Sequence, residues 1–163
     1  MGISMQGFRY FCVERTLRPT ARAILLTLLC SLASVASSSQ LNIGADNIAV
    51  SGYDLVSYFD ARVEPGSVDF ASDFQGATYL FSSAAHAQQF ESDPQKFLPA
   101  YGGYCAYGVS MGKRLPIDPR AYEVVAGRLY LLLNRVTQKT WQLNRDNNIN
   151  IADRLWHTVE HKP

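Results

Sequence analysis

The segment that most restricts this chain is Tyr101-Gly102-Gly103-Tyr104-Cys105-Ala106-Tyr107-Gly108-Val109-Ser110-Met111-Gly112. Its glycines let the backbone take positive φ and approach other groups closely. Its tyrosines supply broad faces with polar tips. Two readings follow. The segment is either a glycine-punctuated core strand in which Cys105 acts as a small hydrophobe, or a site built around one thiol.

The beginning of the chain points to export. Arg9, Arg15, Arg18 and Arg22 precede an uncharged apolar run from Ala23 to Ala33, and Ser34-Val35-Ala36 places small residues where a signal peptidase reads. The run is about half of the roughly 20 residues that a bilayer-spanning helix needs. An uncleaved anchor is the rival reading. The expected organisation is a signal peptide at 1–36 and one domain at 37–163, periplasmic or secreted, with no membrane span after processing.

Cleavage changes both charge and cysteine content. The whole chain carries 15 Lys+Arg and 14 Asp+Glu. Without the four leader arginines and Glu14, the domain keeps 11 basic and 13 acidic residues. It has no basic block, which argues against nucleic-acid binding. Cys12 and Cys30 fall in the leader, so Cys105 stands alone and no intramolecular disulfide can form. A lone thiol in an oxidising compartment must be buried, paired with a partner or bound to a metal.

Periodicity gives the elements. Gly52-Tyr53-Asp54 is turn chemistry, with the Asp54 carboxylate able to cap local N–H groups. Leu55–Phe59 reads as a short strand or extended segment. Two hairpins are expected, 68–74 with 77–81 around Gln75-Gly76, and 122–125 with 128–132 around Ala126-Gly127. Each leads into a helix, capped by Ser82 or Ser83 and by Asn134. Asp93-Pro94 breaks the first helix and starts a short turn. In the second, Leu133, Val136, Thr140 and Leu143 share a side. A third helix carries Ile149, Ala152, Trp156 and Val159 at helical spacing. The fold class is therefore α+β: a small single domain with an antiparallel sheet from two hairpins, packed with about three helices. No internal repeat of fixed period is evident, and the two hairpins do not match in sequence.

Several spaced segments resemble a known family. Gly52-Tyr53-Asp54-Leu55-Val56-Ser57-Tyr58-Phe59, Gly76-Ala77-Thr78-Tyr79-Leu80-Phe81-Ser82-Ser83, Phe90-Glu91-Ser92-Asp93-Pro94-Gln95-Lys96-Phe97 and Tyr101-Gly102-Gly103-Tyr104-Cys105-Ala106 are similar to segments of the secreted YHS-domain proteins of bacteria. The match continues through Asp118-Pro119, Gly127-Arg128-Leu129-Tyr130-Leu131, Trp141 and Ala152-Asp153 with Trp156. The resemblance implies an association with heavy-metal handling. Shorter members carry a cysteine ligand in a Phe-Cys-Ser triplet after the hairpin. Here the triplet is Phe81-Ser82-Ser83, so that site does not carry over.

Three functions are weighed on the residues. The first is a soft-metal protein, copper before zinc, with Cys105, His86 and Met111 as ligands, since thiolate, imidazole and thioether suit Cu(I). No CxxC or carboxylate cluster supports a closed zinc site, and His157 and His161, four residues apart, lie in the terminal helix and tail as expected surface residues. The second is a thiol enzyme or redox sensor at Cys105, activated by His86 or by a helix N-terminus, with Asp54 able to orient a histidine; nothing fixes a substrate. The third is a non-catalytic module for a small ligand or partner, with Tyr53, Asp54, Tyr101, Tyr104 and Tyr107 as candidate pocket residues.

Overall fold

A computed structural model of the chain describes residues 41–161. The expected signal peptide at 1–36, with Cys12 and Cys30, lies outside the described residues.

The architecture is α+β. Strand β1 (Ser67–Phe74) pairs antiparallel with β2 (Ala77–Phe81), and β3 (Asp118–Val125) pairs with β4 (Arg128–Leu132). The hairpins form two separate two-stranded sheets rather than one. Helix α1 (Ala84–Ser92) follows the first hairpin, then the short α2 (Pro94–Phe97) and α3 (Ala106–Ser110). Helix α4 (Arg135–Leu143) follows the second hairpin, and α5 (Arg145–Val159) ends the described chain. None is long and apolar enough to cross a membrane.

Local chemistry explains these elements. Ser83 and Asn134 accept the N–H groups of His86 and Thr137 as N-caps of α1 and α4. Pro94 starts α2. Both hairpin turns place two residues at positive φ, Gln75-Gly76 and Ala126-Gly127, the backbone of a type I′ turn. Three expectations are corrected. Leu55–Phe59 is not a strand: Ser57–Asp60 closes into a 3₁₀ turn, held by the Asp54 cap described below. The segment from Tyr101 to Gly112 is not a core strand but a left-handed turn leading into α3. In α4, Val136 and Leu143 are exposed and Trp141 is the buried residue, because the helix turns its one aromatic ring inward. The stripe Ile149, Ala152, Trp156 and Val159 on α5 does face the core.

A fourth correction matters most. The chain contains an internal repeat with a constant offset of 51 residues. Ser67 pairs with Phe81 and Ala71 with Leu80; 51 positions on, Asp118 pairs with Leu132 and Tyr122 with Leu131, so even the bulge recurs. Parallel bridges Ile48–Thr78 and Pro99–Leu129 obey the same offset. So do the bonds Asp54 N–H to Glu64 C=O and Cys105 N–H to Leu115 C=O. Val50, Ser51 and Gly52 have φ of 50°, 53° and 77°; Tyr101, Gly102 and Gly103 have 57°, 60° and 81°.

Each half has its own core. The first holds Leu55, Tyr58, Tyr79, Phe81 and Phe90; the second holds their counterparts Ala106, Val109, Tyr130, Leu132 and Trp141. Burying a side chain of the size of Phe90 stabilises by about 2–3 kcal/mol.

Candidate functional site

The repeat sets Asp54 and Cys105 at equivalent places, and both are fully buried. Each follows a left-handed turn, a conformation that is costly for non-glycine residues such as Val50 and Tyr101. Asp54 Oδ1 accepts the N–H groups of Val56 (2.9 Å) and Ser57 (3.3 Å). Oδ2 accepts the N–H of Ser82 (2.9 Å), the Ser82 hydroxyl (2.6 Å) and His86 Nδ1 (2.6 Å). Burial pushes this carboxyl up, but the hydrogen bonds from Ser82 and His86 outweigh it and hold Asp54 below the ordinary carboxylate value.

Cys105 does the same work with a weaker acceptor. Its Sγ accepts the N–H of Gly108 (3.4 Å) and of Leu133 (3.2 Å), the counterparts of Ser57 and Ser82. Where the first half has Ser82 and His86, the second has Leu133 and Thr137, and Thr137 is bound to Asn134 instead. The thiol is thus a helix cap inside the second core.

The three residues weighed as metal ligands have different surroundings. Cys105 is buried against backbone N–H groups. His86 has Nδ1 committed to Asp54, with its side chain 15% exposed. Met111 ends α3 and is half exposed. Cys105 is the N-cap and Met111 the C-cap of α3, so the two stand at opposite ends of that helix. Among the described residues, no three of His, Cys, Asp and Glu form a group able to hold a metal ion.

A pocket lies elsewhere. It has a volume of about 390 Å³, within the usual range for small-ligand sites. Both halves line it: Val50, Gln75 and Tyr79 from the first, Tyr101, Gly102 and Arg128 from the second, with Asn42 before them and Trp156 and Glu160 from the chain's last described turns. Tyr101 and Trp156 present rings with centroids 5.8 Å apart, tilted by 55°. The Arg128 guanidinium lies 5.0 Å from the Tyr101 ring centre and 5.3 Å from that of Tyr130. Asp153 accepts from both the Tyr101 hydroxyl and Arg128 Nη1 at 2.9 Å. Burial, then the bond to Asp153, pushes the Tyr101 phenol far up, so it stays a neutral donor. Burial pushes Tyr79 up to about 12.

Of the five residues expected at a pocket, Tyr101 lines this one and four do not. Asp54 is enclosed in its own cap. Tyr53 neighbours Arg120. Tyr104 packs on Trp156 with Arg114 over its ring, and Tyr107 packs against the second core. Sequence reasoning missed Arg128, Trp156 and Glu160 as site residues. The signal available was Arg128 directly after the Ala126-Gly127 turn, two strand positions before Tyr130 and so on the same face. A second hollow, of about 560 Å³, has no aromatic lining and Asp46 as its single charged wall residue.

No protein-family profile matches this chain, no curated protein does, and no solved structure does.

Proposed function

We propose that this domain is a non-catalytic small-ligand-binding module whose site is the pocket walled by Tyr101, Arg128 and Trp156. The observation that carries the reading is the fixed aromatic and guanidinium wall: Asp153 holds Tyr101 and Arg128 together, so the surface needs no rearrangement to receive a flat or apolar group. Soft-metal binding at Cys105, with copper preferred over zinc, rests on the resemblance to secreted YHS-domain proteins. It ranks second, because the thiol would have to give up two N–H donors and open its core to meet an ion. Export to the periplasm suits either reading.

The test uses the full chain and indole as probe, followed by ligand-observed NMR. Indole is expected to bind. The variant Gln95→Trp is expected to abolish binding without unfolding, because Gln95 is an exposed residue on the pocket rim. Equal binding by wild type and Gln95→Trp would place the ligand elsewhere. Stoichiometric Cu(I) uptake that vanishes in Cys105→Ser would move the function to the thiol.

A further inference from the structure

The charges of the pocket say more about its ligand, on the footing that the pocket is the site. Two charged residues line it, Arg128 and Glu160. They are of opposite sign, and both are partly sheltered, with side chains 44% and 20% exposed. Arg128 spends N–H donors on Asp153 and on the Tyr130 hydroxyl. A guanidinium has five, so donors remain for a planar acceptor such as a carboxylate. The Glu160 carboxylate has the ring of exposed His161 at 3.5 Å as its ion-pair neighbour. It can receive an ammonium, and the Trp156 ring that lines the same pocket favours a cation further. A ligand with one charge would pair one of these groups and strip water from the other without replacing it, which disfavours binding. A neutral ligand such as indole rests on the aromatic wall alone and gains from neither charge.

We infer that the ligand is a small zwitterion of the amino-acid kind. Its carboxylate lies against Arg128, its ammonium against Glu160, and its apolar body on the Tyr101–Trp156 wall. The volume of about 390 Å³ accommodates an aromatic side chain on such a molecule.

Three probes with the same body test this by calorimetric titration of the full chain: L-phenylalanine with both charges, 2-phenylethylamine with the ammonium alone, and 3-phenylpropanoate with the carboxylate alone. L-Phenylalanine is expected to bind at least tenfold more tightly than either. Glu160→Gln is expected to bring L-phenylalanine down to the level of 3-phenylpropanoate while leaving 3-phenylpropanoate no weaker. Glu160 is at the end of α5, so this variant keeps the fold. A singly charged probe within twofold of L-phenylalanine would overturn the zwitterion, as would an unchanged Glu160→Gln. If all three fail while indole still binds in the pocket, the zwitterion falls and the module reading stands. If indole fails as well, both fall.

Discussion

The Asp54 half and the Cys105 half solve one structural problem with different chemistry. In each, a left-handed turn delivers a buried acceptor to the N–H three residues ahead and to the N–H 28 residues ahead, tying the turn to the end of the hairpin. A thiol suffices in the second half. In the first, a carboxylate does the same and adds the Ser82 hydroxyl and His86. A buried charge demands these extra donors; a neutral sulfur does not. The difference teaches that Cys105 occupies a capping position that exists independently of thiol chemistry. The pocket beside Tyr101 and Arg128 meanwhile draws its walls from both halves.

The comparison can be broken most forcefully by removing each acceptor. Asp54→Ala leaves five donors unpaired and is expected to cost about 3–5 kcal/mol. Cys105→Ala frees two N–H groups and is expected to cost about 1–3 kcal/mol. Denaturant midpoints would read both, and equal losses would contradict the account. Transplanting the chemistry sharpens it. Cys105→Asp should destabilise by about 2–4 kcal/mol, because the Leu133 side chain has no donor and the Thr137 hydroxyl is spent on Asn134. Adding Leu133→Ser and Thr137→His should recover part of that loss.

The halves should also differ in acid. The folded Asp54 carboxyl lies below its unfolded value, so the unfolded chain takes up the proton first as pH falls. The stabilisation from Asp54 is complete above roughly pH 4 and drains as pH drops through the lowered folded value. Asp54→Asn should lose this limb of the stability curve, whereas Cys105→Ala should keep it; thermal unfolding across pH 2–6 separates them. The smallest effect concerns the turns. Ser51 and Gly102 are counterparts, both near φ of +55°. Ser51→Gly should stabilise by about 0.5–1 kcal/mol and Gly102→Ser should destabilise by a similar amount.

Much of the fold was legible and the repeat was not. Gln75-Gly76, Ala126-Gly127, Ser83, Asn134 and Pro94 announce their turns, caps and breaks because each does so through its own backbone chemistry. The repeat survives in φ angles, bulges and buried positions. Its identities are confined to scattered residues such as Gly52 and Gly103, Tyr53 and Tyr104, Gly76 and Gly127, and Tyr79 and Tyr130. Elsewhere Phe90 answers to Trp141 and Asp54 to Cys105, pairs that share burial and not letters. The helix α4 stripe misled for a related reason: helical spacing identifies a face without saying which face is inward, and the single Trp141 outweighed Val136 and Leu143. Asp54 was legible as a local cap and as a partner for histidine, since its turn is local. The pocket was not, because Asn42, Tyr79, Arg128 and Trp156 meet only through packing of distant segments.

The most direct measurement is the rate at which iodoacetamide alkylates Cys105 in the folded full-length chain, read on the Cys105 peptide by mass spectrometry. A buried cap that shares the place of Asp54 should react only as fast as the fold opens, and the rate should rise with denaturant in step with unfolding. Alkylation within minutes under native conditions, independent of denaturant, would show a presented thiol and contradict the assignment of Cys105 as the structural counterpart of Asp54.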